Sequence, residues 1–451
     1  MSDVPHGWVV APLDALLAPQ ADGRTIHQGW SPQCEKSPAG DSEWGALKTT
    51  AIQPGHFLPE HNKRLPVDKQ PKPGLEVKPD DVLLTCAGPR SRCGVACLVS
   101  ETRPKLMISG KMYRFRFDNR YLEPQFMEYY LLSGEAWSAI DEMKTGVSDS
   151  GLNLTQGRIR TLPIPVPPLP EQQRIVAAIE EHFSRLDAAE ACLGSAAKRA
   201  ARLPDAACSA LTNDGSWRVV ELTDLLTSLR NGAFVSRPSA DPPGMPILRI
   251  SAVRQRRLDQ TDVRYATPAP AGADRYQVDP GDLLFTRYSG NPKYVGACAV
   301  VPPDAAGLLH PDKLIRGVVD EAQADPRWIS SYVSVGAGRA SIESRLKTTA
   351  GQVGISGRQL KSVEIAVPPI EEQIRRCNEI DRFSDLADSV GAAIDVAARR
   401  SSGLRRAVLA AAFSGQLVPQ DPADEPASVL LERIAAERAA AKPPRRKRVT
   451  A

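Results

Sequence analysis

The chain has 451 residues, 42% of them hydrophobic and 24% charged, with a net charge of +4, which is ordinary for a folded protein of two or three domains. No basic, then apolar, then small-residue signal opens it and no run of eighteen apolar residues could cross a bilayer, so a soluble, cytoplasmic protein without membrane association is expected. Eight scattered cysteines form no disulfide framework, the Cys93/Cys97 pair and six histidines show no zinc-ligand spacing, and neither a metal nor a cofactor is required.

Gly7-Trp8, followed by Val9, Val10 and Leu13, opens a first globular unit over residues 1–165. Apolar runs at 82–84 and 95–99, bounded by Pro, Gly and Asp, predict strands. Tyr113, Phe115 and Phe117 alternate with Arg114, Arg116 and Asp118, the period of a half-buried strand, and residues 126–132 read as helix. Thr155 stands where a following helical turn takes its N-cap. The strand-like stretch 162–166 contains prolines that exclude a central strand.

A helical segment follows over 166–215. Residues 171–213 contain no glycine except Gly194, and Ile179, Leu186, Leu193, Ala200 and Ala207 recur every seventh position. Pro204 predicts a local kink or end, because it lacks a donor and clashes with the preceding turn.

The chain then repeats itself. Val77-Lys78-Pro79-Asp80-Asp81-Val82-Leu83-Leu84-Thr85 returns 201 residues later as Val278-Asp279-Pro280-Gly281-Asp282-Leu283-Leu284-Phe285-Thr286. At the same offset Val166-Pro167-Pro168-Leu169-Pro170-Glu171-Gln172 returns as Val367-Pro368-Pro369-Ile370-Glu371-Glu372-Gln373. Trp217, Val219, Val220 and Leu222 reopen a second globular unit over 216–366, and Ser356 repeats the capping hydroxyl. In the second helical segment, 367–414, Ile380, Ala387, Ile394 and Val408 keep the heptad, which Ser401 interrupts. Phe383, Val390, Ala397, Leu404 and Ala411 form a second register, and two such seams make a coiled-coil stripe. About 40 residues at 1.5 Å rise span roughly 60 Å, longer than a small domain is wide. The two helices are therefore expected to pack antiparallel and hold the globular units apart. Ile179, Leu186, Leu193, Ile380, Phe383, Val390, Ile394, Leu404, Val408 and Phe413 are the candidates for this seam or for docking a partner. Residues 415–451 form an extension with a short helix near 428–440 and a basic tail, Lys442-Pro443-Pro444-Arg445-Arg446-Lys447-Arg448, read as a solvated tail. The fold class is α+β: two tandem mixed α/β units separated by two long antiparallel coiled-coil spacer helices, in a pseudo-twofold internal repeat.

Catalytic signatures are missing. Asn291-Pro292-Lys293-Tyr294 approximates the Asn-Pro-Pro-aromatic loop of adenine-N6 methyltransferases, but Lys293 breaks it and no glycine-rich cofactor loop precedes it. No phosphate-binding G-x-x-x-x-G-K-[ST] loop occurs, and Asp81 and Asp282 read as turn caps. A binder fits better. Reading duplex DNA takes a basic surface plus a few side chains that reach base edges. Arg90, Arg92 and Lys111 offer this in the first unit. In the second, Arg254, Arg256, Arg257, Arg287, Tyr288, Asn291, Lys293, Tyr294, Arg345 and Lys347 offer it. The loops differ while the helices match, so the two units are expected to read unrelated words, separated by a gap set by the spacer.

The stretch Leu162-Pro163-Ile164-Pro165-Val166-Pro167-Pro168-Leu169-Pro170-Glu171-Gln172, the run from Leu404-Arg405-Arg406 through Phe413-Ser414-Gly415-Gln416-Leu417-Val418-Pro419, and the duplication together resemble the specificity subunit of bacterial Type I restriction-modification enzymes. The likeness covers residues 5–435. It implies that 5–165 and 216–366 are target recognition domains, each reading half of a split double-stranded DNA site. It implies that helices 171–213 and 371–414 are an antiparallel spacer that docks two modification (M) subunits, which carry S-adenosylmethionine and the adenine-N6 methyl transfer. Restriction (R) subunits, with ATP and Mg, would add cleavage, leaving this chain non-catalytic. Two departures stand out: Pro170 is replaced by Glu371, and the segment around Pro204 lacks the arginines of 404–406. The alternatives are a coiled-coil adaptor with no nucleic-acid partner, or a mobile-element-borne specificity subunit that uses a host's M subunits.

Overall fold

Apolar runs flanked by turn residues become the central strands of two sheets built to one plan. The computed structural model describes residues 4–213, 216–349 and 352–440; the basic run at 442–448 lies outside them. The chain divides into two compact units, Met1–Cys192 with Ala397–Ala451, and Leu193–Val396. The division falls inside both long helices.

In the first unit the strands that build the plan are β1 (Val9–Pro12), β2 (Ile26–Gln28), β3 (Val82–Thr85), β4 (Ala96–Leu98), β5 (Met112–Phe115) and β6 (Pro163–Val166), with helices α1 (Pro124–Leu132) and α2 (Gly134–Met143), besides shorter strands and turns. The antiparallel sheet runs β2-β5-β3-β4, and β1 pairs with β6 in a separate two-stranded ribbon. The ribbon suits the prolines of β6, which have no N–H to give an interior ladder. The long helix α3 (Leu169–Thr212) follows. The second unit repeats the plan with β7 (Arg218–Glu221), β8 (Leu226–Asn231), β9 (Leu283–Thr286), β10 (Cys298–Val300), β11 (Leu314–Val319) and β12 (Glu364–Val367), and helices α4 (Pro326–Tyr332) and α5 (Gly336–Glu343). Its sheet runs β8-β11-β9-β10, and β7 pairs with β12. Helices α6 (Ile370–Phe413) and α7 (Ala427–Ala440) complete the chain.

The half-buried strand expected around Tyr113 is instead buried along its whole length. Tyr113 and Phe115 join the cluster beneath α1, while Met112 joins a second cluster with Leu83 and Cys97. Arg114, 1% exposed, lies among polar partners: it donates to Gln20 Oε1 at 2.6 Å and to the carbonyls of Gly74 and Glu76 at 2.9 and 2.6 Å. Alternation counted it as an outward residue because period alone cannot see a polar network covering the second face. Turn chemistry is as read. Asp81 accepts from Lys78 N at 2.8 Å and Asp282 from Asp279 N at 2.7 Å. Thr155 accepts from Arg158 N, and Ser356 closes a full capping box with Gln359. Cys97 and Cys298 are core thiols with no exposed surface.

The duplicated V-P-P-x-x-E-Q motif works as a joint. Gln172 and Gln373 are both 0% exposed. Gln172 Nε2 donates to Pro167 O at 3.0 Å, and its Oε1 accepts from Glu123 N, just before α1, at 3.0 Å. Gln373 donates to Pro368 O at 2.8 Å and accepts from Asp325 N, at the start of α4, at 2.9 Å. Each glutamine ties the first turn of a long helix to a helix of its globular unit, and the prolines ahead of it supply free carbonyls.

Within the first unit the long helices run antiparallel. Ser401 donates to Glu190 at 2.6 Å, and Arg405 pairs with Asp187 at 2.5 Å while lying 5.1 Å over the Phe183 ring. Ser401 therefore extends the seam; it is 5% exposed and hydrogen-bonded across it. Ile179 and Ile380 are buried, and Leu186, Leu193, Phe383, Val390, Ile394 and Val408 are half-buried. Phe413 packs edge-on against Phe126 and Tyr130 of its own unit. Leu404 departs from the expected second seam: it is 54% exposed, because Arg405 takes the inward place beside it. In the second unit Arg376 Nη1 donates to Leu211 O at 2.7 Å. Helix α3 continues past Pro204 to Thr212 and does not end there.

Sequence gave no hint of how α7 is seated. Arg120 and Tyr121 bond Glu437 at 2.8 and 2.7 Å, and Arg438 donates to Asp14 O at 2.8 Å. Among the described residues no helix is long and apolar enough to cross a membrane, and no group of three or more His, Cys, Asp or Glu side chains is placed to hold a metal ion.

Candidate nucleic-acid interface

A cation stands at the same backbone position in both units. Cys86 N donates to Lys111 O at 2.9 Å, and Arg287 N donates to Lys313 O at 2.9 Å. Lys111 and Lys313 each lie in the turn that enters an inner strand, β5 or β11. Both are exposed, and neither has an ion-pair partner among the described residues. Lys313 was not among the residues singled out from sequence, because the 201-residue offset from Lys111 lands one residue short of it, on Asp312.

Around this shared lysine the two lips differ. In the first unit Gln28 Nε2 donates to Gly110 O at 2.8 Å, and Lys72 lies 4.6 Å over the Trp30 ring. Cys86 lies behind them, its thiol pushed up to about 11 by burial. In the second unit Arg287 replaces that thiol and lies 4.8 Å over the Tyr288 ring. Tyr288–Ser289 pairs with Gln352–Gly354, which in turn pairs with Lys347–Thr349 and brings the exposed Lys347 to the same lip. The next loop carries Asn291, whose side chain accepts from Lys293 N at 3.1 Å and caps the short turn Pro292–Tyr294. The segment is a loop between the strands Tyr288–Ser289 and Cys298–Val300. Arg254 lies 4.6 Å over Tyr294, and Arg257 is exposed on the neighbouring hairpin.

Four of the arginines singled out from sequence are engaged elsewhere. Arg92 donates to Gln53 Oε1 at 3.0 Å and to the carbonyls of Thr49 and Ile52 at 2.7 and 2.6 Å. Arg345 donates to the carbonyls of Ser341 and Ser362, both at 2.7 Å. Arg256 bonds Pro204 O of α3 at 3.0 Å and pairs with Asp205. These three hold the fold together and leave the candidate set. Arg90 is half exposed but lies between Asp141 and Asp149, at 2.6 and 3.0 Å, so its charge is largely offset. Guanidinium donors serve a fold and a phosphate equally well, and residue type cannot tell which. Two further cations join Lys313 on the second unit's surface: Arg249, paired with Asp262 at 3.0 Å, and Arg264, and these three line a cavity of about 460 Å³ with Val235 and Pro238.

The two units are copies of one fold with different cation-bearing lips. Residues 55–191 match the Type I restriction modification DNA specificity domain. The chain is 28% identical to the Type I restriction enzyme EcoKI specificity subunit of Escherichia coli strain K12, over 97% of each chain. It is 35% identical to the EcoEI specificity subunit of Escherichia coli over 47% of this chain and 35% of that one. Among solved structures, a chain from a study of the assembly and conformational transition of the type I R-M system superposes with a TM-score of 0.67 at 19% identity, covering 92% of this chain and all of that one. The HsdS subunit of Thermoanaerobacter tengcongensis gives 0.54 at 18% identity, covering 92% and 98%. The structures share the fold, residues 55–191 carry a Type I restriction modification DNA specificity domain, and along its whole length the chain is similar to specificity subunits of Type I restriction enzymes.

Proposed function

We propose that the chain is the non-catalytic reader of a bipartite double-stranded DNA target with a fixed gap. The observation that carries this is the lysine repeated at Lys111 and Lys313 inside lips whose other residues differ. A repeated cation suits the phosphates common to every DNA, and differing neighbours suit two unrelated words. In the first unit Lys111 is the contact retained, with Arg90 contributing little. In the second, Lys313, Arg257, Lys293, Lys347 and Arg287 face phosphates, while Asn291, Tyr294 and Arg254 lie near base edges.

The division proposed is a recognition domain at 1–165, a spacer helix at 166–215, a second recognition domain at 216–366, a second spacer helix at 367–414 and an extension at 415–451. Exposed Leu404 belongs to the surface offered to two M subunits, and R subunits join that complex. S-adenosylmethionine, ATP and Mg are assigned to those partners, where methylation and cleavage take place.

The test is co-expression with the neighbouring M subunit, followed by single-molecule methylome sequencing. Adenine methylation at one split motif with a constant gap, present only with this chain, is the expected result. A stable complex that binds no DNA in a salt-dependent manner would replace this reading with the adaptor.

A further inference from the structure

The second unit carries an aromatic ring that its fold does not use. Phe234 is 78% exposed, while its neighbours are fixed on both sides. Ala233, 1% exposed, donates to His310 O at 2.9 Å and accepts from Asp312 N at 2.8 Å. Val235 packs against the cluster of Ile247, Ala266 and Leu309. Ahead of them Gly232 lies so close to the chain that a Cβ there would sit 2.2 Å from His310 O. A clamped backbone thus holds a large apolar side chain out in water, where burial would have stabilised the unit.

Its surroundings are cationic. The cavity beginning at Val235 is lined by Arg249, Arg264 and Lys313, and the exposed Arg237 lies three residues beyond Phe234 along the loop. Of these four, Arg249 alone has an ion pair among the described residues. The equivalent position in the first unit, two residues beyond the tightly packed Gly29, is Ser31, whose Oγ accepts from Gly110 N at 3.1 Å and so serves its own fold. The position therefore differs between the units in chemistry and in use.

We propose that Phe234 is an apolar base contact of the second unit, reading one base pair of its half-site through a thymine methyl or by wedging against a base step. Arg264 and Lys313 hold the flanking phosphates. A rigid exposed aromatic among unpaired cations fits the alternation of apolar bases and anionic backbone, and fits a protein partner less well, because an apolar protein patch would have to bury those charges. This rests on the proposed DNA reading, and the test separates the two.

Phe234→Ala and Phe234→Leu are co-expressed with the M subunit and their methylomes compared with the wild type. Because the ring is exposed, both variants fold and assemble. The expected result is that Phe234→Ala relaxes one base position of one half-site by about tenfold, with the gap and the other half-site unchanged, and that Phe234→Leu relaxes it less. An unchanged motif in Phe234→Ala overturns the proposal, as does loss of the complex with the M subunit, which would make the ring a protein contact. Absence of motif methylation with the wild-type chain refutes the DNA reading itself.

Discussion

Arg256 occupies a left-handed turn position, φ 61°, in the hairpin joining Val253–Arg254 to Arg257–Leu258. The repeat puts Gly55, φ 69°, at that place in the first unit. Holding a side chain in this region costs about 1 kcal/mol. The return is the hydrogen bond from Nη1 to Pro204 O at 3.0 Å, a charged bond contributing about 2 kcal/mol, and the ion pair with Asp205, which is 65% exposed and adds well under 1 kcal/mol. Arg256→Ala loses the bond and keeps the strain, so it destabilises the second unit by about 2 kcal/mol. Arg256→Gly loses the same bond but relaxes the turn, for a net loss of about 1 kcal/mol. In calorimetry of the whole chain the second unit's melting point falls about 6 °C for Ala and about 3 °C for Gly. Ala equal to or better than Gly would refute the reasoning, since it would mean the turn stores no strain. DNA affinity of the assembled complex changes little in either variant, as a fold clamp requires.

Gln373→Leu leaves Asp325 N and Pro368 O buried without partners and costs about 3 kcal/mol, read in denaturant unfolding of the second unit; Gln172→Leu acts likewise on the first. His310, 0% exposed, has its pKa lowered by burial to about 4, so the folded unit resists protonating it. The stability this lends is complete above the unfolded histidine's range near 6.5 and is lost as pH falls through about 4, at most about 3 kcal/mol. His310→Gln flattens the stability profile over that window. Lys313→Glu in the assembled complex weakens DNA binding about tenfold and lowers the salt slope by about one, without altering the methylated motif; an altered motif would make it a base contact instead.

Local order along the chain was legible without coordinates. The 201-residue repeat, the capping residues Thr155 and Ser356, the proline-bearing ribbon strand and the heptads of both helices each depend on neighbours within a few residues or on direct comparison of the two copies. What side chains do after the chain folds was not legible. Arg92, Arg256 and Arg345 read as DNA contacts because a long cationic side chain reports its charge in sequence and never its partner. Arg114 read as a solvent-facing residue because alternation records direction but not what covers that direction. The seam at Ser401 and the exposure of Leu404 were set by the rotation of one helix against the other, to which a seven-residue period is blind. Sequence alone determined the duplicated architecture and its family likeness, since both are written in order and spacing. Tertiary structure decided which cations remain free for a ligand, because hydrogen-bond partners far apart along the chain meet only when it folds.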